Sequence, residues 1–328
     1  MKIIEYKGKT IETKNFSELT DEQCEQLRKD FYAKPSIDEV RDNLAKIYEG
    51  STKISDITNY YFKDLMAKVR LHHSKWSLEE LFECNDLIRY VHGKTLTNKK
   101  IFPDKDSEIK KIETAIRLSG KGSASKPTNF PIKIADRILD KYNINNIYYD
   151  MSCGWGVRLL SALRHNITYI GTDPNKELID RLKAMTNEYN SVNNTKLKPL
   201  LFCKGSEETI YEMVSKVGLC FSSIPFFNLE IYKSDNQSYK EGMEYDEWKE
   251  HYLKPTINNC YQYLIDGGHM IINVKNFKKY KLEEDTISLA KECGFEFVEK
   301  LPLQEIRRTK SSEGFHSGIE GLFVFKKN

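Results

Sequence analysis

Tyr148-Tyr149-Asp150-Met151-Ser152-Cys153-Gly154-Trp155-Gly156-Val157-Arg158 is the stretch that decides how this chain is read. Strand-forming residues lead into an acid, a Gly-x-Gly turn follows, and a helix begins near Val157. A second apolar run, Thr168-Tyr169-Ile170-Gly171-Thr172, closes on Asp173, twenty-three residues after Asp150. Strand, glycine turn, helix, strand and acid in that order hold an adenosine-bearing ligand at the carboxyl ends of the strands in doubly wound α/β domains. The turn is not G-x-G-x-x-G, because Leu159 stands where the third glycine would fall. A pyrophosphate is therefore not expected, and S-adenosylmethionine suits the loop better than NAD.

Each residue of this constellation has a chemical reading and a plain one. Asp150 would face the methionine ammonium as an opposite charge, or cap a helix. Gly154 and Gly156 permit close backbone approach, or simply make the turn. Ser152 lies in the same loop, and Trp155 walls the methionine pocket or packs on the following helix. Asp173 ends the second strand, where a carboxylate accepts hydrogen bonds from both ribose hydroxyls.

About fifty residues past Asp173 the chain reads Leu219-Cys220-Phe221-Ser222-Ser223-Ile224-Pro225-Phe226-Phe227. Here it resembles the amino-methyltransferases, which methylate exocyclic nitrogens of bases and carry Asp/Asn/Ser-Pro-Pro-Tyr/Phe/Trp after their fourth strand. Ser223-Ile224-Pro225-Phe226 matches three of those four positions. The continuation Phe227-Asn228-Leu229-Glu230-Ile231-Tyr232 looks like the extension in phage and bacterial DNA methyltransferases of this type. The resemblance covers roughly residues 120 to 328, from Lys126-Pro127-Thr128-Asn129-Phe130-Pro131 to Gly321-Leu322-Phe323-Val324-Phe325-Lys326-Lys327.

The resemblance implies an α/β fold, with a doubly wound, mostly parallel seven-stranded Rossmann-like methyltransferase sheet. It implies Ser223, Ile224, Pro225 and Phe226 as the catalytic loop. The Ser223 hydroxyl and the Ile224 carbonyl would orient the target amine, and Phe226 would stack on a base flipped out of its duplex. Phe130, Ser206 and Ser222 join Asp150, Ser152, Gly154, Trp155, Gly156 and Asp173 as cofactor-binding residues. Ile224 departs from the family's proline. It leaves the loop without a fixed φ and brings a β-branched side chain and a backbone N–H near the target. The expected activity is methylation of N6-adenine or N4-cytosine in DNA. An RNA base methyltransferase and a cofactor-binding pseudoenzyme are the alternatives.

Composition fits this reading without demanding it. The chain has 328 residues, with 51 Lys and Arg against 48 Asp and Glu, so net charge alone does not call for nucleic acid. No apolar run approaches the length of a membrane span, the amino terminus does not read as a signal peptide, and a cytoplasmic protein is expected. The seven cysteines form no C-x-x-C pair, and His72-His73 lacks metal-ligand spacing, so neither a disulfide framework nor a metal is expected. The covalent route of C5-cytosine methylation needs a Pro-Cys dipeptide, which the chain lacks.

Residues 1–118 read as a mainly helical domain for recognition or partner binding, and 119–328 as the methyltransferase domain. Thr20, Ser36 and Ser77 are expected helix caps, the last in a Ser-x-x-Glu box. A short strand or hairpin is expected through Ile3–Tyr6, and a helix through Ile57 to Val69. In the second region strands are expected near 146–150, 167–172, 199–203, 217–222, 268–274, 295–300 and 320–326. Helices are expected over 131–142, 156–164, 175–189, 207–215, 245–264 and 282–293. Basic runs at 94–100, 275–281 and 307–310 are candidate phosphate contacts or plain solvated faces. Specificity is expected to come from the N-terminal region and the 228–245 loop.

Overall fold

Caps and turns explain the local structure of the amino-terminal region. Lys2–Tyr6 (β1) and Lys9–Thr13 (β2) pair antiparallel, with Tyr6 opposite Lys9. The two turn residues, Lys7 and Gly8, have φ of 49° and 70°, the mirror-image turn that matches strand twist. Helix α1 (Asp21–Tyr32) opens on a capping box, in which Gln23 N–H donates to Thr20 Oγ1 at 3.2 Å and Thr20 N–H donates to Gln23 Oε1 at 2.8 Å. There follow α2 (Ile37–Ala45), α3 (Ile54–Lys68), β3 (Arg70–Leu71), α4 (Leu78–Glu83), α5 (Asn85–Thr95) and α6 (Glu108–Leu118). The Ser77–Glu80 box opens α4, as its sequence requires.

This computed structural model describes residues 1–49, 52–72, 74–96, 100–118, 124, 127–234, 236–302 and 321–328. The basic run 307–310, residues 97–99 of the run 94–100, and all of the 120–126 link except Ala124 lie outside the described residues. The chain forms two compact units: residues 1–37, 62–128 and 229–233 make the first, and residues 38–61, 129–228 and 234–328 the second. Segment 38–61 therefore belongs with the sheet. Arg41 Nε donates to Glu188 Oε1 at 2.6 Å, the Tyr48 and Tyr189 hydroxyls share a hydrogen at 2.6 Å, and Asn129 Nδ2 donates to Thr58 Oγ1 at 2.8 Å. In the first unit Phe31 stacks on Phe82 at 4.0 Å, within a core that includes Trp76, Leu81, Leu87, Val91 and Ile112.

The remaining elements are α7 (Ile132–Tyr142), β4 (Ile147–Asp150), α8 (Val157–Arg164), β5 (Thr168–Thr172), α9 (Lys176–Asn193), β6 (Leu200–Phe202), β7 (Val217–Ser223), β8 (Glu230–Ile231), α10 (Tyr245–Trp248), α11 (Lys254–Tyr263), β9 (Leu264–Val274), α12 (Leu282–Glu292), β10 (Glu296–Pro302) and β11 (Gly321–Lys326). Seven strands form one sheet in the order β10-β11-β9-β7-β4-β5-β6. β4, β5, β6, β7 and β9 run parallel, while β11 is antiparallel to β9 and β10. The chain extends the sheet one way from β4 through β5 and β6, then returns to β4's other edge with β7. That makes β4 the switch point, where ligands of such sheets bind. The fold is the doubly wound seven-stranded sheet expected from the sequence.

The sheet core is rich in tyrosine, and each buried hydroxyl finds a partner, as burial requires. Tyr148 donates to Phe221 O at 2.8 Å, Tyr149 meets Thr172 Oγ1 at 3.0 Å, Tyr169 donates to Asp150 Oδ2 at 2.9 Å, and Tyr263 accepts from Ile210 N–H at 2.6 Å.

Two helix expectations are corrected. Residues 207–215 form only a single 3-10 turn, Tyr211–Met213. Their polar groups are captured from outside the segment: Thr209 donates to Asn259 Oδ1 at 2.9 Å, and Ile210 N–H to the Tyr263 hydroxyl. The helix expected over 245–264 is interrupted by a π turn at Lys249–Leu253. Pro255 has no N–H for the carbonyl one turn back and its ring crowds that carbonyl, so the backbone widens there.

At Gly156 backbone angle and packing both favour glycine. Its φ is 76°, and an added Cβ would stand 2.6 Å from Met185 Cε and 2.8 Å from Leu182 Cδ2 on α9. At Gly154, φ 55°, the nearest atom would be Arg158 Nη2 at 3.4 Å. Gly156→Ala is expected to lower unfolding free energy by about 2–4 kcal/mol, combining backbone strain with overpacking. Gly154→Ala should cost only about 1–2 kcal/mol. Urea titrations of the two variants check the order, and equal effects would contradict it.

Candidate active site

The carboxyl edge of β4 carries a buried ion pair. Arg158, in the first turn of α8, places Nε 2.9 Å from Asp150 Oδ2 and Nη2 3.2 Å from Oδ1, and the side chains are 5% and 0% exposed. Tyr169 donates to the same Oδ2, and Ser152 N–H to Oδ1 at 3.3 Å. Asp150 is thus fully engaged within the protein. Sequence placed this carboxylate beside a methionine ammonium; the structure places it on Arg158, whose charge, with these two donors, makes burial of the acid tolerable.

Arg158 gathers much of the expected site around itself. Nη2 also donates to the Ser152 carbonyl and, at 3.3 Å, to Ser222 Oγ on β7. Ser222 in turn donates to Ser152 O at 3.3 Å. The guanidinium lies 5.5 Å from the Phe130 ring centre, and Phe130 packs edge-on against Phe221. Asp150, Ser152, Ser222 and Phe130 therefore meet at one place. Trp155 is half-buried between the two left-handed glycines. Cys153 is buried, and burial pushes its thiol well up, so it stays neutral and is no nucleophile.

Asp173 stands at the end of β5, half-buried. Its Oδ1 accepts from Asn175 N–H at 3.0 Å. Burial, aided by the nearby Asp150 charge and opposed by backbone N–H groups of Asn175 and Gly154, pushes its carboxyl up to about 7. Beyond β6, Ser206 is 2% exposed and committed to α11: its hydroxyl meets Thr256 Oγ1 at 2.9 Å and its carbonyl accepts from Asn259 Nδ2 at 2.9 Å. The neighbouring Glu207 was not singled out from sequence. Its Oε2 is buried without a hydrogen-bond partner among the described residues, and burial raises its carboxyl.

The loop after β7 begins at Ser223, whose Oγ accepts from Asn273 Nδ2 on β9 at 3.1 Å. Asn273 is 2% exposed and lies directly opposite Ser223 in the parallel register. Ile224 turns inward at 3% exposure, with Pro225 half-buried. Phe226 and Phe227 are 8% and 2% exposed, and they differ in company. Phe227, with φ 51°, packs against Tyr239, Tyr245, Trp248 and Tyr280 at centroid distances of 5.1 to 5.8 Å. Phe226 has no ring contact among the described residues. The basic run 275–281 follows β9 at the same edge, with Lys278, Lys279 and Lys281 exposed and Tyr280 seated on Phe227.

Arg158, Asn273 and Glu207 are the site residues that sequence reading missed. Arg158 had a signal, since a cation one turn into the helix after a buried strand-end acid needs that acid as partner. Asn273 had a weaker one, a lone amide inside the apolar strand Met270-Ile271-Ile272-Asn273-Val274.

No protein-family model matches this chain, and no curated protein matches it. Solved structures similar to it include a TehB-like SAM-dependent methyltransferase from Corynebacterium glutamicum, 16% identical over 59% of this chain and 87% of the other, with a TM-score of 0.40. A S-adenosylmethionine-dependent methyltransferase from Clostridium acetobutylicum is 14% identical over 61% and 93%, with a TM-score of 0.41. Magnesium protoporphyrin IX methyltransferase from Synechocystis, solved with bound SAM, is 9% identical over 70% and 89%, also at 0.41. These likenesses are too distant to carry a substrate across.

Arg158→Met should destabilise the protein by about 3–5 kcal/mol, because it strands a buried carboxylate. Asp150→Asn in the same background should recover a large part of that loss. Equilibrium urea unfolding checks both. A single variant as stable as the parent would show that the pair does not hold this edge together.

Proposed function

We propose that this protein is an S-adenosylmethionine-dependent methyltransferase that acts on the exocyclic amine of a nucleic-acid base, N6 of adenine or N4 of cytosine, in DNA. The observation that carries it is the Ser223-Ile224-Pro225-Phe226 loop at the carboxyl end of β7, beside the adenosine-type edge of β4 and β5. The Ser223 hydroxyl is anchored there by Asn273. The lysines of 275–281, beside Phe227, support a phosphate-bearing substrate over a small one.

The residues present fit the cofactor. Asp173 offers a half-exposed carboxylate where ribose hydroxyls are expected, and the orphaned Glu207 Oε2 suits the adenine amine. Phe130 and Trp155 supply walls. Bound there, the cofactor supplies an electrophilic methyl on a sulfonium. The Ser223 hydroxyl oxygen keeps a lone pair besides the one that faces Asn273, and the Ile224 carbonyl lies one residue on. These two acceptors draw the N–H groups of the target amine and aim its lone pair at the methyl. With the cofactor bound, the amine nitrogen would take the methyl as the C–S bond breaks, and the extra amine proton would pass to solvent. No protein nucleophile is required. Phe226 stacks on the extruded base once its covering groups part.

Mass spectrometry of nucleosides from DNA and RNA of expressing cells tests the reading. N6-methyladenine or N4-methylcytosine in DNA upholds it. Methylation confined to RNA overturns the DNA assignment, and cofactor binding without any transfer favours a pseudoenzyme. Ser223→Ala should lower turnover about tenfold or more with cofactor affinity little changed, and Ile224→Pro should preserve or raise it. Asn273→Ala should slow the parent but add nothing to Ser223→Ala, since it works through that hydroxyl. Steady-state rates on unmethylated duplex check the set, and additive effects would separate Asn273 from Ser223.

Asp173 makes affinity pH-dependent. Burial pushes its carboxyl up to about 7 from the ordinary 3.8. The folded state therefore holds an extra proton between those values, and this group's contribution to stability declines as pH rises through the window. Ribose hydroxyls favour the ionised form, so cofactor affinity should rise with pH up to about 7 and then level off. Asp173→Ala should weaken binding roughly tenfold or more and flatten the profile. Calorimetric dissociation constants across that range check it, and an unchanged constant would remove the ribose assignment.

A further inference from the structure

Distant segments of the chain bring cations together on the first unit. Lys9, on β2, donates its ammonium to the Lys75 carbonyl, while Lys75 donates to the Thr10 carbonyl at 2.5 Å. The two side chains run past each other and tie β2 to the segment before α4, so both ammonium groups lie between the same two segments. Burial, and then the charge of Arg70 on β3, hold the Lys9 pKa below the ordinary lysine value; Lys233 just after β8 and Lys7 add to this, and Glu80 opposes it.

The acids nearby are already engaged. Glu83 accepts from Lys7 Nζ at 2.8 Å and from the Tyr6 hydroxyl at 2.9 Å. Glu79 and Glu80 pair with Lys233 at 3.6 and 3.4 Å, and Glu80 also caps α4 through Ser77 N–H at 2.8 Å. Glu230 accepts from Tyr232 and stands opposite Leu71 in the β3–β8 ribbon, whereas Arg70 stands opposite Ile231. Arg70 and Glu230 therefore point to opposite faces. Lys9, Arg70 and Lys75 have no carboxylate partner among the described residues.

Gathered like charges repel one another, and a bound anion relieves the repulsion. Each lysine spends one of its three N–H donors on a carbonyl, and the Arg70 guanidinium keeps its planar fork. The ribbon carrying Arg70 includes β8, and its pairing begins where His72 N–H meets Leu229 O at 2.8 Å, with only Asn228 between that residue and Phe227.

We infer that Lys9, Arg70 and Lys75 form a phosphate-binding site for the nucleic-acid backbone. The inference rests on the proposed base-methyltransferase reading and gives the first unit its part in it. An elongated polyanion suits cations drawn from a hairpin, a ribbon and a loop better than a single phosphate does. Such cations hold the substrate without reading its sequence.

Fluorescence anisotropy with a short fluorescein-labelled unmethylated duplex, titrated across a KCl series, tests this. For Lys9→Ala/Arg70→Ala/Lys75→Ala, the slope of log affinity against log salt should flatten by about 0.9 for each phosphate that is no longer neutralised. Arg70→Gln alone should flatten it by about 0.9 without removing any hydrogen bond of the fold, which covers misfolding of the triple variant. Lys176→Ala, on α9 in the second unit, should leave the slope unchanged. If wild type binds the duplex and Arg70→Gln and the folded triple variant keep its slope, the site is overturned and the enzymatic reading stands. If wild type binds S-adenosylmethionine but no duplex, the DNA reading falls, and this inference with it. If phosphatidylserine vesicles retain wild type but not the triple variant while duplex binding is unchanged, the cluster belongs to a membrane surface and the inference also falls.

Discussion

The carboxyl edge of this sheet depends on one buried ion pair. Taking a carboxylate and a guanidinium out of water costs several kcal/mol per ion before pairing, and Asp150 and Arg158 are almost wholly enclosed. The cost is met by geometry. Two guanidinium nitrogens face two carboxylate oxygens, Tyr169 and a backbone N–H take further lone pairs, and the remaining guanidinium capacity goes to Ser152 and Ser222. The pair thereby ties the end of β4, the glycine turn, the start of α8 and the end of β7 into one network. Phe130 and Ser222 meet at this edge because this cation contacts both.

A second constraint acts on the loop that follows β7. Phe227 adopts a left-handed backbone, which a bulky residue does at a cost of order 1 kcal/mol or more. Four aromatic neighbours hold it there, and one of them, Trp248, is placed just before the π turn that Pro255 imposes. With Phe227 pinned behind and Ser223 anchored by Asn273 in front, the intervening Ile224-Pro225-Phe226 has little freedom at either end. The Ile224 side chain itself turns inward.

The two glycines of the turn are alike in sequence and different in reason. Gly156 combines a left-handed backbone with close packing by α9, so its role belongs to the fold. Gly154 has almost room for a methyl group and is constrained mainly by its backbone angle. A motif read as a single unit thus divides, once packed, into a glycine held by packing and a glycine held by its backbone angle.

Much of this was legible in the sequence because it depends on local rules. Strand alternation, the capping boxes at Thr20 and Ser77, the strand-end acids Asp150 and Asp173 and the loop at Ser223 are fixed by period, cap chemistry and spacing, and each was read within a few residues. The misses share one cause, which is that their partners are distant in the chain. Residues 207–215 gave up their helix to acceptors and donors on α11, and the π turn reflects how a proline kink is absorbed by packing. Asp150 was recognised as an acid at a binding edge, but its partner Arg158 was not, because which charge a buried carboxylate faces is a matter of side-chain direction. The assignment of 38–61 to the sheet unit, the Asn273–Ser223 pair and the gathering of Lys9, Arg70 and Lys75 likewise exist only after folding. Sequence determined which residues could do chemistry and at which strand ends they would lie. Tertiary structure decided which of them face one another, because hydrogen bonds and Coulomb forces act through space over a few ångströms and take no account of separation along the chain.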